Sequence, residues 1–321
     1  MGPQVSVIYV NYNSSELLIQ SIKSLKANCN EVPFEIIVVD NASADEEKFK
    51  LQTAANSFEG ALNIIFSETN LGFSRANNLG AAQASGDFLF FLNPDTLVLN
   101  NVLKIFCEFL NRSDQNVAAC GGNLLEQDLS PNYSYGNFPG MLYEICSIGF
   151  GLSLLFKRYY NEKIFIGKKV KGNEPIEARY ITGADLFIRS EIFREIGGFD
   201  EQFFMYYEET DLFMRLRMRG FKSYVIPEAR IIHYEGGSVG KTSAKNFNYK
   251  KLEMTMQSKM HYFNKWFPLY KVRLLKAVIL LQLIVQYLKG KQGNSLIKLF
   301  GLYNNVLRAN SKAKSLQESG S

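Results

Sequence analysis

Three carboxylates stand within four residues at Glu208-Glu209-Thr210-Asp211, where a helix is predicted to begin. The positive end of a helix stabilises one or two acidic side chains, so three exceed what capping requires. Mutual repulsion would hold one pKa upward, which suits a general base; a solvated charged turn is the competing reading. Asn93-Pro94-Asp95 closes the apolar run DFLFFL. A carboxylate just past a buried strand is placed to hold a divalent metal, with the proline shaping the turn, although ordinary Asx-Pro turns look the same. Asp40-Asn41-Ala42-Ser43 follows IIVV. It offers a carboxylate and an amide to a nucleotide's base or ribose, or else caps a helix over 45–50. His233 ends the strand-like Arg230–Tyr234 and precedes Glu235-Gly236-Gly237-Ser238. An imidazole there ligates metal or donates to phosphate and the glycines admit an anion; a packed histidine before a turn is the alternative.

Alternating strands and helices must position these groups. Val5–Val10, Phe34–Asp40, Leu62–Phe66, Asp87–Leu92 and Val117–Gly121 read as apolar strands, with helical spacing over Ser15–Lys26, Ser74–Ala84 and Asn101–Leu110. This order predicts an α/β fold with a parallel sheet covered on both faces and a ligand beyond the strands' carboxyl ends. Asn11–Asn13, Asp40–Ser43 and Asn93–Asp95 then share one rim. Residues 126–177 read as an irregular insertion. Two short strands over Ala178–Arg189, helices near Glu191–Ile196 and Glu209–Arg219, and strands at Ser223–Ile226 and Arg230–Tyr234 follow.

The chain of 321 residues carries a net charge of +5, unevenly spread. Residues 241–321 hold 15 Lys and Arg against Glu253 and Glu318, leaving 21 basic and 29 acidic side chains in residues 1–240. Such asymmetry means different partners for the two parts. Cys29, Cys107, Cys120 and Cys146 form no CxxC pair, and His233 and His261 are the only histidines, which disfavours a zinc cluster or a disulfide framework. P-loop, GxGxxG and GxSxG motifs are absent. No cleavable signal peptide precedes the first strand, so the expected location is cytoplasmic.

The basic tail contains one predicted helix over Leu269–Lys289. Lys271, Gln282, Gln286 and Lys289 fall on one face, and Leu274, Val278, Leu281, Val285 and Leu288 on another. Its apolar stretch Ala277–Leu288 is too short to span a bilayer. The expectation is a helix lying in the inner membrane surface, with packing on the protein or on a second subunit as the alternative; Met141–Phe156 is a second apolar candidate.

The segments VSVIYVNYNSSELLIQSIKSL, EIIVVDNASAD, TNLGFSRANNLGAAQASGDFLFFLNPDT, ITGADLFIRSEIFREIGGFDEQFFMYYEETDLFMRLRMRG and HYEGGS occur in an order that resembles family-2 glycosyltransferases over about residues 4–240. LNPD and VDNAS most resemble bacterial rhamnosyltransferases of O-antigen and polysaccharide assembly. The resemblance implies an A-type glycosyltransferase fold, a Rossmann-like sheet joined to an acceptor-binding part. Residues 1–240 would form the catalytic domain, with nucleotide-sugar binding in 1–125 and the acceptor side and base in 126–240, and 241–321 a basic helical region. It places Asn11, Asn13, Asp40 and Asn41 at the donor nucleotide, and Asn93 and Asp95 on the DxD motif with Asp95 at the metal-ligating position. His233 would reach the metal or diphosphate, and Arg75 the diphosphate or sugar unless it serves a structural ion pair. Gly183 and Ala184 would line the sugar or acceptor; Asp185 stands at a usually apolar position with no assigned purpose. Where the family writes Glu-Asp, this chain has Glu208-Glu209, so the base role falls to Glu209, with Glu208 as neighbour and Asp211 orienting the helix or acceptor.

The implied reaction is inverting single displacement from a nucleoside-diphosphate sugar, best matched by dTDP-rhamnose, to a glycan or lipid-linked glycan, assisted by Mg2+ or Mn2+. Gly197-Gly198-Phe199-Asp200 is expected to act as a lid that excludes water. Rival readings are a non-catalytic nucleotide-sugar-binding subunit and a nucleotidyltransferase, though Asn11-Tyr12-Asn13-Ser14-Ser15 lacks the basic Gly-rich loop the latter wants. A processive synthase is disfavoured because no QxxRW surrounds Trp266. No nucleic-acid-binding module is recognisable, and oligomerisation stays open.

Overall fold

Apolar and β-branched residues dominate Val5–Asn11 (β1), Phe34–Asn41 (β2) and Phe88–Leu92 (β4), and nearly all of their side chains are buried. Strands covered on both faces have this composition. The computed structural model describes residues 2–58, 62–234, 249–288 and 299–307. In it β1 pairs in parallel with β2 and β4, and β2 with Leu62–Ser67 (β3). The intervening helices are Ser15–Asn28 (α1), Asp45–Ser57 (α2) and Gly72–Ala82 (α3). Further along come Thr96–Val98 (β5), Val102–Arg112 (α4), Val117–Leu125 (β6), Tyr133–Gly136 (β7), Met141–Cys146 (α5), Lys157–Tyr159 (α6), Gly167–Lys169 (β8), Ile176–Ala178 (β9), Tyr180–Ile181 (β10) and Asp185–Arg189 (β11). Ser190–Glu195 (α7), Glu208–Met218 (α8), Lys222–His233 (β12), Tyr249–Trp266 (α9) and Leu269–Leu288 (α10) complete the order.

Among the described residues the large sheet runs β3-β2-β1-β4-β11-β6-β12-β5, with β9 also on β12; β10-β7-β8 form a small second sheet. It is mixed, not uniformly parallel as expected. β11 is antiparallel to β4 and β6, and β5 is antiparallel to β12. The two strands expected at 223–226 and 230–234 are one strand, β12, with a register shift between Ile226 and Arg230.

The chain divides into two compact units, Met1–Phe138 with Gly167–Glu201 and Glu208–Lys241, and Pro139–Ile166 with Gln202–Tyr207 and Thr242–Ser321. In the first, strand alternation splits the core between the two sheet faces. Val7 and Tyr9 join Phe88, Phe90 and Phe106 on one side, whereas Ile8 joins Leu89, Phe91 and Phe199 on the other. All four cysteines are free and buried.

In the second unit Ile148, Val278 and Val285 pack with Met141 and Ile145. This corrects the expected faces of α10. Val278 and Val285 are buried there, while Tyr270, Leu274, Leu281 and Leu288 remain exposed. Gln282, expected on the solvent face, is buried and donates to the Glu144 carbonyl (2.9 Å) and to Ser147 Oγ (3.1 Å). The physical reason is Glu144: its fully buried carboxylate pairs with Lys259 Nζ at 2.7 Å, and the surrounding polar atoms need partners. Lys289, the side chain of Gln286 and the 235–238 turn lie outside the described residues. Among the described residues no helix is long and apolar enough to cross a membrane.

Candidate active site

The β1–β2 register sets Asn11 directly beside Asp40. Both are fully buried, and Asn11 Nδ2 donates to Asp40 Oδ2 at 2.9 Å and to Ser15 Oγ at 3.0 Å. Ser14 Oγ donates to Asn11 Oδ1 at 3.0 Å, and the Ser43 N–H donates to Asp40 Oδ1 at 3.1 Å. These two side chains thus bond each other and two turns. Asn13, exposed and left-handed at φ 53°, accepts the Ala44 N–H at 2.8 Å and so caps α2. Asn41 accepts the Leu71 N–H at 2.7 Å and donates to Asn70 Oδ1 at 3.1 Å, tying the end of β2 to the loop before α3. This quartet shapes the rim at the carboxyl ends of β1 and β2.

On the other side of β1, β4 ends in the Asn93-Pro94-Asp95 turn. The Asn93 N–H donates to the Ala184 carbonyl at 2.9 Å, and Thr96 Oγ1 donates to the Asn93 carbonyl at 2.7 Å. Pairing of β5 with β12 puts Thr96 opposite His233. As a result His233 Nε2 lies 3.4 Å from Asp95 Oδ1, with the Tyr234 N–H on the Asp95 carbonyl at 2.9 Å. A nearly buried carboxylate and a neighbouring imidazole thus converge from two strand ends. Among the described residues no group of three His, Cys, Asp or Glu side chains converges. Asp95 and His233 are the residues of this turn that could hold a divalent ion.

Gly183 links this turn to the acidic cluster. A Cβ built on Gly183 would stand 3.9 Å from Glu209 Cβ and 3.6 Å from the Phe73 ring, while the next residue, Ala184, carries the bond to Asn93. Glu208 is buried, and burial, followed by the charge of Glu209, pushes its carboxyl well above the usual range. Glu209 keeps part of its surface accessible. Desolvation still raises its pKa to about 7, against the lowering effect of the backbone N–H groups of Glu209 and Thr210. Tyr206 (φ 72°) and Tyr207 (φ 69°) precede the pair in the left-handed region, a cost of about 1–2 kcal/mol per residue for bulky side chains.

Asp211 is elsewhere committed. Fully buried, it accepts Arg215 Nε at 2.8 Å, and the same guanidinium donates to the Ile196 carbonyl (2.8 Å) and the Gly198 carbonyl (2.7 Å). Asp211 anchors a loop; the i,i+4 spacing to Arg215 is the signal that sequence reasoning missed. Breaking such a buried pair costs about 3–5 kcal/mol. The expected lid is also corrected. Asn78 Nδ2 donates to the Phe199 carbonyl and Asn78 Oδ1 accepts the Phe199 N–H, both at 2.9 Å. Phe199 is buried against Phe73, Phe91 and Phe193, so 197–200 is a pinned loop. Arg75, half-exposed, takes the ion-pair alternative, its Nε 3.4 Å from Glu201 Oε2. Asp185 now has a local role. Its buried carboxyl accepts the Gly122 N–H, and burial raises its pKa well above the usual range. Side chains on the adjoining strand would not fit: a Cβ on Gly122 would meet the Ala229 carbonyl at 2.7 Å.

The family model described as glycosyl transferase family 2 matches residues 6–197. The chain is 24% identical to the N-acetylglucosaminyl-diphospho-decaprenol L-rhamnosyltransferase of Mycobacterium tuberculosis, over 76% of this chain and 80% of that one. It is 24% identical to the rhamnosyltransferase WbbL of Escherichia coli, over 72% and 83% of the two chains. In fold it is similar to the mannosyltransferase PcManGT of Pyrobaculum calidifontis in complex with GDP-Man and Mn2+ (TM-score 0.54, 14% identity, 97% of this chain and 87% of that one). It is also similar to GalNAc-T7 with UDP, GalNAc and Mn2+ (TM-score 0.62, 17% identity); there the match covers 84% of this chain and spans about half, 49%, of the other.

Proposed function

Because this chain belongs to glycosyl transferase family 2 and has the A-type glycosyltransferase fold, we propose that it moves rhamnose from dTDP-rhamnose to a hydroxyl of a glycan or lipid-linked glycan with inversion. The observation that carries this reading is the continuity from Glu209 through Gly183 and Ala184 to Asn93, Asp95 and His233. Base, sugar wall and diphosphate end belong to one connected set of residues. The relatives named as rhamnosyltransferases support the choice of sugar.

Asp95 and His233 would hold the divalent ion, Mg2+ or Mn2+. When bound, that ion supplies positive charge to the departing nucleoside diphosphate. Glu209 removes the proton of the acceptor hydroxyl as its oxygen attacks the anomeric carbon, and a pKa of about 7 suits that transfer at neutral pH. Burial, and after it the charge of Glu209, shifts Glu208 toward its protonated form, which limits the negative charge beside the base. The rim formed by Asn11, Asp40, Asn13 and Asn41 supports the nucleotide through its shape. Nucleoside-diphosphate release with an acceptor extract and Mn2+ tests the donor. Turnover is expected with dTDP-rhamnose; clear preference for UDP-galactofuranose or a UDP-hexosamine would overturn the rhamnose reading and leave the family intact.

The protein acts as a peripheral enzyme on the cytoplasmic face of a membrane. Tyr270, Leu274, Leu281 and Leu288 form an exposed apolar stripe on α10, and the surrounding tail is strongly basic. An apolar stripe flanked by cations is what an anionic interface attracts. Because Val278 and Gln282 belong to the interior of the second unit, deleting α10 would damage the protein. Point substitution is the better test. Leu274→Glu with Leu281→Glu should abolish flotation with anionic vesicles while preserving the melting temperature; unchanged flotation removes α10 from the membrane contact.

A further inference from the structure

We propose that α9 is a positioning element for the catalytic base, acting through the short run Phe203–Tyr207 that leads directly into Glu208-Glu209. The inference rests on the reading of Glu209 as the base. Residues Gln202–Tyr207 belong to the same compact unit as α9, whereas Glu208 begins the segment assigned to the other unit.

Within the second unit the run is held at several points. Ser258 Oγ, nearly buried, donates to the Met205 carbonyl at 2.8 Å. Phe203, fully buried, stands edge-on to His261 with ring centroids 4.5 Å apart, and Tyr207 meets Tyr262 at 5.3 Å. Lys251 lies over the Tyr206 ring at 5.8 Å and Lys265 over Phe203 at 5.9 Å. Residues 251, 258, 262 and 265 recur at helical spacing, so one face of α9 supplies these contacts.

The grip explains the backbone of the run. Tyr206 and Tyr207 are consecutive non-glycine residues at φ 72° and 69°. Bulky residues persist there only where their surroundings over-determine them. No sequence motif demands that conformation, and the contacts from α9 are among its determinants. Freed from them, either tyrosine relaxes toward negative φ, and a change at that point re-aims the first turn of α8, where Glu209 sits. Base placement is a sensitive quantity, since a displacement of about 1 Å can cost about 100-fold in rate. Ser258 is the lever, because its single hydroxyl holds the carbonyl immediately before the strained pair.

The test compares Ser258→Ala, Ser258→Thr and Glu209→Gln in the full chain. The readouts are kcat, acceptor KM, donor affinity by calorimetry and melting temperature. Ser258→Ala is expected to lower kcat by about 10- to 100-fold with donor affinity unchanged, and Ser258→Thr to restore it by returning the hydroxyl. Should Ser258→Ala not fold, Phe203→Leu, which keeps an apolar side chain and removes the ring contacts, is read in the same way. Wild-type kcat in Ser258→Ala alongside an inactive Glu209→Gln overturns the positioning role and leaves the base reading standing. A parallel fall of kcat, donor affinity and melting temperature, without rescue by threonine, also overturns it. Full turnover in Glu209→Gln removes the base reading and this inference with it.

Discussion

Glu209→Gln is expected to lower kcat by about 100- to 10,000-fold while leaving donor affinity intact. The amide keeps the shape of the side chain and loses the lone-pair basicity that takes the acceptor proton. Because burial raises Glu209 to about 7, wild-type kcat should climb with pH to a plateau above that value, and the residual rate of the variant should lack that limb. Stability carries the opposite sign. An exposed glutamate titrates at about 4.3, so a folded-state value above it favours folding below that pH and loses the benefit as pH rises toward the folded value. Glu208, pushed up by burial and by its neighbour, behaves the same way. Glu208→Gln should therefore raise the melting temperature at pH 8 relative to wild type and change it little at pH 4. A pH-independent kcat in the wild type would remove Glu209 from the role, and full turnover in Glu209→Gln with loss in Glu208→Gln would move the base by one residue.

Asp95→Asn should reduce metal-dependent turnover at least about 100-fold, the second large effect. Asparagine occupies the same volume, and the Tyr234 N–H bonds the backbone carbonyl of residue 95, so the turn should survive. What disappears is the negative charge beside His233. The measurement is nucleoside-diphosphate release against added Mn2+. The Mn2+ requirement should shift to higher concentration, and His233→Asn should produce a smaller shift in the same direction. Unaltered Mn2+ dependence in Asp95→Asn would remove this residue from the ion's coordination.

The apolar runs that became β1, β2 and β4 were legible because a strand buried on both faces must be continuously hydrophobic. Their polar ends, at Asn11, Asp40 and Asn93, were legible because a chain leaving a buried strand exposes its next residues at the rim. Residue type also singled out Asp95, His233 and Glu209 as candidates, because the chemistry proposed for them is carried by the side chain itself.

Tertiary structure decided the partners. Asn11 and Asp40 are 29 residues apart, and only the parallel β1–β2 register turns two polar ends into one closed hydrogen-bonded set. Asp211 looked like part of an acidic cluster until Arg215 carried its charge to the Ile196 and Gly198 carbonyls. Gln282 fell on a polar helical face, yet the buried Glu144, 138 residues away, drew it inward. Strand polarity at β11 likewise follows from how the chain returns to the sheet beside β4, which no local pattern states. Periodicity along a chain encodes how much of an element is buried. Which group meets a buried polar atom depends on distant residues brought within bonding distance, and that is set when the elements pack.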